Sequence, residues 1–406
     1  MDKFGLLGRH LGHSYSPQIH ARLYAEPYGL CEVEPDELGV FLRDTDVRGL
    51  NVTIPYKKDV IPYCAALSDT AARIGSVNTL VRRSDGWYGD NTDYDGFRYM
   101  VRHSGVDVKG KKALVLGDGG VSLTVRTVLS DLGCADIVVV SRRGENNYEN
   151  LHRHADAHII ANCTPVGMYP NNGESLVDLA NFPACEAVYD MIYNPCKTAL
   201  LLQAEERGMV WENGLGMLVA QAKRAAELFQ ETVYPDEKVE EIRQALWAQM
   251  GNIVLIGMPG CGKSSIGAAL SAVTGLPLVD ADEELVKAAG LAIPEIFAAE
   301  GEEGFRRRET ETLRELSKRS GCIIATGGGC VTRAENRALL RQNGTTVWIR
   351  RSLDELPSDG RPLSQRHGVQ TLYARRKDKY AAFADLIVDN DRSIAEAAAE
   401  IKEKLL

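Results

Sequence analysis

Two glycine-rich loops of different types occur in this one chain of 406 residues. The first, residues 117–122, follows the apolar run 113–116 and precedes a segment with helical periodicity. It contains no lysine, and this order of strand, loop and helix is typical of a site for the diphosphate of a dinucleotide. The second, residues 257–264, ends in Lys263 and Ser264, a pattern that predicts a nucleoside-triphosphate site with magnesium. The chain is therefore expected to bind two different nucleotides.

Each loop supplies candidate nucleotide-binding residues, because the backbone N–H groups of such loops surround phosphates. Lys263 would stabilise negative charge on the β- and γ-phosphates, and Ser264 would ligate magnesium. The candidates in the first loop are Gly117, Asp118, Gly119, Gly120, Val121 and Ser122. Those in the second loop are Gly260, Cys261, Gly262, Lys263, Ser264 and Ser265.

Strand-like apolar runs alternate with helix-period segments along the whole chain, which predicts an α/β protein with parallel sheets. After the first loop we expect a helix over about 123–132 and a strand over 137–140. An amphipathic helix is expected over 235–249, and a domain boundary near Met250. In the second half the predicted strands are 252–256, 278–279, 322–325 and 345–349.

Composition excludes several classes of partner and site. The chain has 47 basic and 56 acidic residues with no long block of like charge, which argues against nucleic acid or an anionic membrane as partner. The nine cysteines include no C-x-x-C pair, so we expect reduced thiols rather than disulfides or a zinc site. Neither an apolar leader nor a run of roughly 20 apolar residues is present, so a cytoplasmic location is expected.

Three polar clusters precede the first glycine loop: residues 14–17, 51–57 and 91–93. Each follows a short apolar run, where α/β proteins place ligand-binding groups. Lys57 and Asp93 could form a charged pair that exchanges a proton with a carbonyl or hydroxyl group. Taken singly, each of the two is better explained as a surface charge.

Together with the loop, these clusters resemble the shikimate dehydrogenase family over residues 1–248. The matching motifs are residues 12–17, 51–57, 75–79, 89–93, 117–122, 189–195 and 213–221. The resemblance implies that Lys57 and Asp93 form the catalytic pair and that the substrate is 3-dehydroshikimate. It implies a substrate-binding set of Ser14, Ser16, Thr53, Asn78, Asp93, Tyr193 and Gln221, and it adds Met191 and Gly214 to the cofactor-binding residues.

The cofactor is expected to be NADPH. An NAD site usually has a carboxylate after the second strand of the dinucleotide-binding lobe, whereas this chain has Ser141, Arg142 and Arg143, which suit a 2′-phosphate. The alternative is that both arginines are solvated surface charges of the loop and bind no phosphate. Asp118 and Val121 stand where the family has small residues, and Asp118 would weaken diphosphate binding unless it points to solvent. Residues 143–159 are shorter and more polar than the family's usual crossover.

The second half resembles the shikimate kinase family over residues 251–406. The matching segments are 279–282, 304–309, 327–329, 360–363 and 376–380, together with the second glycine loop. The resemblance implies that Asp282 orients the acceptor hydroxyl and takes its proton, and that Asp280 supports magnesium beside Ser264. Arg306 and Arg376 would hold the shikimate carboxylate, a planar anion that suits arginine. It also implies that Gly328 lets the backbone approach the ring and that Arg361 closes over ATP.

Alternatives remain for parts of this assignment. The run of Arg306, Arg307 and Arg308 lies on a predicted helix with several glutamates, so a solvated, ion-paired face would also explain it. Residues 327–329 could be only a loop after a buried strand. The lid over 356–370 is shorter than is usual for the family, which puts its closing contacts in question.

The prediction is therefore a bifunctional α/β enzyme of the shikimate pathway that serves aromatic amino-acid and chorismate biosynthesis. Residues 1–98, completed by about 214–248, would form a substrate lobe, 99–213 a Rossmann-like NADP lobe, and 251–406 a P-loop domain of the nucleoside monophosphate kinase type. The cofactors would be NADPH, ATP and Mg²⁺. The alternatives are a first half that prefers quinate and a non-catalytic sensor derived from these enzymes.

Overall fold

A computed structural model describes residues 3–12, 14–356 and 368–405. The chain divides into two compact units. Unit 1 consists of Met1–Val166, Glu174–Tyr193 and Gln203–Gln244, and unit 2 consists of Gly167–Gly173, Asn194–Leu202 and Ala245–Leu406. No helix within the described ranges is both long and apolar enough to cross a membrane.

The first sheet of unit 1 has six strands in the order β2-β1-β3-β5-β6-β4. Its strands are β1 Phe4–Gly8, β2 Tyr28–Glu32, β3 Gly49–Val52, β4 Cys64–Leu67, β5 Thr79–Arg83 and β6 Gly86–Asp90. Strand β5 is antiparallel to both of its neighbours. The expectation of parallel sheets is therefore wrong here, because a two-residue connection joins β5 directly to β6 and reverses the chain.

The second sheet of unit 1 has five parallel strands in the order β11-β10-β9-β7-β8. They are β7 Lys112–Leu116, β8 Asp136–Val140, β9 Ile159–Asn162, β10 Ala187–Asp190 and β11 Val210–Glu212. Strand β7 lies between β9 and β8 and is wholly apolar after its first residue, as expected for a parallel strand that is covered on both faces. Ligand groups in such a sheet lie beyond the carboxyl ends of the strands, where β7 leads into the first glycine loop.

Unit 2 contains a five-stranded parallel sheet in the order β13-β14-β12-β15-β16. Its strands are β12 Asn252–Ile256, β13 Leu278–Asp280, β14 Ile323–Ala325, β15 Gly344–Arg350 and β16 Leu386–Asp389. The strands predicted over 252–256, 278–279, 322–325 and 345–349 are confirmed within a residue or two. Strand β12 is central and fully buried, and the second glycine loop follows it.

Helices pack on the faces of all three sheets. Seven of them belong to the first part of the chain: α1 Ser16–His20, α2 Leu38–Asp44, α3 Asp69–Ile74, α4 Asp93–His103, α5 Gly120–Asp131, α6 Ala199–Glu206 and α7 Gly214–Gln230. The others are α8 Glu237–Met250, α9 Lys263–Thr274, α10 Ala281–Ala289, α11 Ile293–Leu316, α12 Glu335–Arg341, α13 Val369–Phe383 and α14 Ile394–Leu405. The helices predicted over about 123–132 and 235–249 correspond to α5 and α8.

Helices α4 and α7 pack closely, which joins the end of the first sheet to the last part of unit 1. Gly96 permits this approach, because a Cβ atom there would lie 2.7 Å from the backbone oxygen of Met217. Helix α7 also contacts α1 and β5, so the last part of unit 1 packs against the elements of the first sheet.

Candidate active sites

The first candidate site is a cavity of about 430 Å³ in unit 1. Strands β1 and β3 contribute to its wall, together with the starts of α4 and α7. The cavity brings together all the predicted substrate-binding and catalytic residues of the first half: Ser14, Ser16, Thr53, Lys57, Asn78, Asp93, Tyr193 and Gln221. Residues from separate motifs, far apart in sequence, thus share one wall.

Lys57 and Asp93 form an ion pair at the wall of this cavity, with Nζ 2.6 Å from Oδ2. Lys57 follows β3, and Asp93 is the first residue of α4, where a carboxylate is favoured by the helix dipole. Both side chains are only partly exposed, 32% for the lysine and 15% for the aspartate. The pair can therefore reach a bound ligand and still be held in one geometry.

Two amide side chains of the cavity wall have fixed orientations. The Asn78 Oδ1 atom accepts a hydrogen bond from the backbone N–H of Thr92 at 2.7 Å, which leaves the Asn78 NH₂ group as the donor. Gln221 donates from Nε2 to the backbone oxygen of Leu218 at 2.8 Å. Amides held in this way suit the hydroxyl groups of a small polar ligand.

Several residues of this cavity are absent from the predicted set. Two of them are Tyr15 and Asn51. Both lie in motifs that also contain predicted site residues, and this closeness in sequence could have identified them. The ring of Tyr15 packs edge-on against that of Tyr193, with centroids 6.1 Å apart. Burial raises the pKa of both phenols, so they remain neutral hydrogen-bonding groups.

The first glycine loop has the backbone geometry of a phosphate-binding loop. Gly117 has a φ of +97°, and a Cβ atom there would lie 2.7 Å from the Thr164 side chain. Gly119 caps α5, and no atom lies within 4 Å of a Cβ built on Gly119 or Gly120. The Ser122 hydroxyl is buried without a hydrogen-bond partner. These features fit a diphosphate at the start of α5.

The side chain of Asp118 is exposed, which is the orientation in which its charge interferes least with a diphosphate. After β8, Ser141 is buried while Arg142 and Arg143 are exposed. Both arginines thus lie on the surface after the second strand of the lobe, where they would contact the 2′-phosphate of a bound NADPH.

Three predicted cofactor residues also line the 430 Å³ cavity: Val121, Met191 and Gly214. A Cβ atom on Gly214 would lie 2.2 Å from the backbone oxygen of Met191, so only glycine fits there. The predicted substrate-binding residues and three of the predicted cofactor-binding residues of the first half therefore share one cavity, as transfer of a hydride between two ligands would require.

The second candidate site is a cavity of about 820 Å³ in unit 2. It is formed around the second glycine loop, the start of α10, and the loop after β14. The predicted residues along it are Gly260, Gly262, Lys263, Ser264, Ser265, Asp280, Asp282, Arg306, Gly328 and Arg376. Cys261 is fully buried inside the loop, and Arg361 lies outside the described residues.

The second glycine loop wraps around the Lys263 side chain. The Nζ atom donates to the backbone oxygens of Gly257 at 3.0 Å and Met258 at 3.1 Å, which holds this buried ammonium at the loop. Gly262 has a φ of +99° at the start of α9. The side chain of Asn390 donates to the Cys261 oxygen at 2.8 Å and so braces the loop from β16.

Ser264, Asp280 and Asp282 form the polar floor of this cavity. The Ser264 hydroxyl donates to Asp280 Oδ2 at 2.9 Å, and Asp280 Oδ1 accepts from the backbone N–H of Asp282 at 3.0 Å. A hydroxyl beside a carboxylate matches the oxygen ligands that magnesium prefers. Burial, and next the charge of Asp280, raise the pKa of Asp282 above the usual aspartate value. Asp282 is therefore a stronger proton acceptor than an exposed aspartate.

Two arginines reach the same cavity from α11 and α13. Arg306 is 6% exposed and donates to Glu309 at 2.6 Å, while its Nε atom is buried without a partner. Arg376 donates to the backbone oxygen of Gly328 at 3.0 Å. Arg306 forms the ion pairs that the alternative predicts, with Glu309 and Glu302, but a solvated face is wrong for it, because the kink of α11 at Gly301 precedes a buried turn that faces the cavity.

That alternative is confirmed for a neighbour of Arg306, since Arg308 forms an ion pair with Glu300 at 2.6 Å on the partly exposed side of α11. Arg307 is exposed. Sequence reasoning missed the cavity-lining residues Phe297, Phe305, Glu309, Arg351, Asn390 and Arg392. Glu309 lies three residues after Arg306 on the same helix face, a spacing that could have identified it.

Both parts of the chain are similar to known protein families. A family model described as shikimate dehydrogenase substrate binding domain matches residues 6–80, and one described as shikimate kinase matches residues 259–406. The shikimate dehydrogenase (NADP(+)) of Clostridium beijerinckii is 36% identical over 251 residues, which cover 57% of this chain and 93% of that protein.

Solved structures give the same result for the first part of the chain. A chorismate mutase/shikimate 5-dehydrogenase fusion protein from Clostridium acetobutylicum is 37% identical, with a TM-score of 0.57, and the match covers 60% of this chain and 96% of that one. Shikimate 5-dehydrogenase from Thermus thermophilus, in complex with NADP(H) and shikimate, is 28% identical with a TM-score of 0.55, over 60% of this chain and 99% of that one.

The fold and the two sites thus define an α/β enzyme that joins an oxidoreductase to a phosphotransferase. The chain belongs to the shikimate dehydrogenase family, and its last part is a shikimate kinase domain. It is accordingly a bifunctional enzyme of the shikimate pathway.

Proposed function

We propose that this enzyme reduces 3-dehydroshikimate to shikimate with NADPH, and phosphorylates the 3-hydroxyl of shikimate with ATP. The observation that carries the proposal is the Lys57–Asp93 pair, at 2.6 Å, in a cavity that also holds cofactor-loop residue Val121. A ring of short polar side chains surrounds the pair, as a polyhydroxylated acid requires. The product of the first reaction is the acceptor of the second.

In the reductase site, NADPH supplies the hydride when it is bound. The Lys57 ammonium donates a hydrogen bond to the carbonyl oxygen and supplies a proton as negative charge develops there. Asp93 holds the ammonium in place through its 2.6 Å contact. Asn78 and Gln221 orient the ligand through their amides, and Tyr193 offers a neutral phenol.

The choice of NADPH rests on Arg142 and Arg143, which follow β8. Both side chains are exposed to solvent and are therefore accessible to the 2′-phosphate of a bound cofactor. A guanidinium pairs with a phosphate in a bidentate manner, and no acidic side chain occupies the first positions after β8 to accept a ribose hydroxyl. The buried Ser122 hydroxyl and the open Gly119–Gly120 backbone fit the diphosphate.

In the kinase site, ATP supplies the phosphoryl group when it is bound, and Ser264 with Asp280 would hold Mg²⁺. Lys263 stabilises the charge of the β- and γ-phosphates. Asp282, with its raised pKa, takes the proton of the acceptor hydroxyl. Arg306 and Arg376 bind the carboxylate of shikimate, and the unpartnered Nε atom of Arg306 is a donor available for this.

The setting that we propose is aromatic amino-acid biosynthesis in the cytoplasm. Cys261, Cys322 and Cys330 are buried thiols, which suits a reducing compartment. The assignment of residues 1–98 with about 214–248, 99–213 and 251–406 to a substrate lobe, a cofactor lobe and a kinase domain is part of the same proposal.

The test uses single substitutions in the full-length chain. Lys57→Ala should lower NADPH oxidation with 3-dehydroshikimate by about 10²- to 10⁴-fold and leave ADP release with shikimate unchanged. Lys263→Ala should abolish ADP release and leave NADPH oxidation unchanged. Faster turnover of quinate than of shikimate in the reverse direction would instead favour the quinate assignment. If the wild-type chain performs neither reaction, it is a ligand sensor rather than this enzyme.

A further inference from the structure

A row of buried polar side chains lies behind the reductase cavity and crosses three neighbouring strands. In the strand register, Asn51 of β3 pairs with Thr79 of β5, and Thr79 pairs with Asp90 of β6. The members are His20, Asn51, Asn78, Thr79 and Thr92, each at most 5% exposed. Among them, Asn51 and Asn78 also line the cavity, whereas Thr79 does not.

The direction of the hydrogen bonds in this row can be assigned from one end. The backbone N–H of Thr92 can only donate, so the atom of Asn78 that it meets at 2.7 Å must be the oxygen. The Thr79 hydroxyl lies 3.1 Å from the same oxygen and 3.1 Å from the Thr92 hydroxyl, which in turn lies 3.2 Å from that oxygen. The single proton of Thr79 is therefore directed at Asn78 or at Thr92, and in both cases away from Asn51.

The consequence for Asn51 follows directly. Having used its proton, Thr79 can only accept from Asn51, whose Nδ2 atom lies 3.3 Å away. The Asn51 oxygen then faces His20 Nε2 at 3.0 Å and the hydroxyl of Tyr28 at 2.8 Å, and both must donate. Burial lowers the pKa of His20 to about 3, so its ring is neutral, with the proton on Nε2. In agreement, His20 Nδ1 is buried without a partner.

We propose that Thr79 is a positioning residue for the reductase. Its hydroxyl links the two cavity-lining amides, because it accepts from Asn51 and hydrogen-bonds to Asn78 directly or through the Thr92 hydroxyl. Without that hydroxyl, the Asn51 NH₂ group has no acceptor on the Thr79 side, and the orientation of Asn51 at the cavity wall is held only through its oxygen. Thr79 does not touch the Lys57–Asp93 pair, so its effect falls on ligand binding rather than on proton transfer. This role rests on the proposed reductase function of the cavity.

The experiment compares Thr79→Val, which keeps the shape and removes the hydroxyl, with Thr79→Ser, which keeps the hydroxyl. In the full-length chain, Thr79→Val should raise KM for 3-dehydroshikimate about tenfold, equivalent to about 1.4 kcal/mol. The kcat should change less than about threefold, and KM for NADPH and the kinase rate should not change, because no member of the row belongs to either glycine loop. Thr79→Ser should remain close to wild type.

A second variant tests the same row from its other end. Tyr28→Phe removes one of two donors to the Asn51 oxygen and should raise KM by about threefold. Because both substitutions act through Asn51, the double variant should raise KM by less than the product of the two effects. Tyr28 is only partly buried, so this variant decides the matter if Thr79→Val does not fold.

An unchanged KM in Thr79→Val, a loss confined to kcat, or independent effects in the double variant would overturn the role of Thr79. These results differ from a failure of the proposed function. In that case, the wild-type chain itself would not reduce 3-dehydroshikimate.

Discussion

Replacing Gly327 by alanine should impair the kinase by displacing the carboxylates of Asp282 and Glu309. Gly327 follows β14, and a Cβ atom there would lie 2.8 Å from Asp282 Oδ1 and 2.7 Å from Glu309 Oε1. Ordinary contact begins at 3.4 Å, so Asp282 must retreat by about 0.6 Å if the loop does not move. A displacement of about 1 Å at a reacting group costs on the order of 10²-fold in rate.

We therefore expect kcat for shikimate phosphorylation to fall between about 10- and 100-fold, or about 1.4 to 2.7 kcal/mol of transition-state stabilisation. The assay is ADP release at saturating ATP, magnesium and shikimate. NADPH oxidation by the same preparation is the internal control and should stay at the wild-type rate. A variant that is folded and retains kinase kcat within twofold of wild type would refute the positioning of Asp282 proposed here.

Two further predictions concern the reductase half. Gly96→Ala should destabilise it by about 1 to 3 kcal/mol, because the new methyl group would lie 2.7 Å from the backbone oxygen of Met217. Gly216→Ala in α7 is the matched control and should be neutral or stabilising, since the nearest atom to its new methyl group is 4.0 Å away. Thermal inactivation of the reductase measures both, and equal effects at the two glycines would contradict the packing argument. Replacing Arg142 and Arg143 together by alanine should raise KM for NADPH at least tenfold and leave KM for NADH unchanged. A parallel rise for both cofactors would contradict a 2′-phosphate site.

The elements that sequence predicts well are those with a local physical signal. The alternation of apolar runs and helical segments places β7, β12 and β15 within a residue or two, because buried parallel strands are continuously apolar. The lysine and serine of the second loop follow from a pattern whose spacing is set by the phosphates themselves. The order of the motifs along the chain also predicts that Lys57 and Asp93 act as a pair, and in the structure Lys57 Nζ lies 2.6 Å from Asp93 Oδ2.

What sequence does not predict depends on packing between distant segments. The antiparallel direction of β5 depends on its pairing with both β3 and β6, and the Asp85–Gly86 turn signal after β5 does not by itself give that strand order. The burial of Arg306 depends on which face of α11 meets the cavity after the kink at Gly301, and charge spacing alone suggested a solvated face. The hydrogen-bond row through Thr79 requires the register of β3, β5 and β6, which no single motif contains.

The central claim is that one polypeptide reduces a carbonyl and then phosphorylates the resulting oxygen. Incubation of the wild-type chain with 3-dehydroshikimate, ATP, Mg²⁺ and NADPH deuterated at the transferred position tests this directly, with the product analysed by mass spectrometry and NMR. We predict a single shikimate phosphate that carries deuterium on the same carbon as the phosphate ester. Deuterium and phosphate on different carbons, or on separate molecules, would contradict the claim.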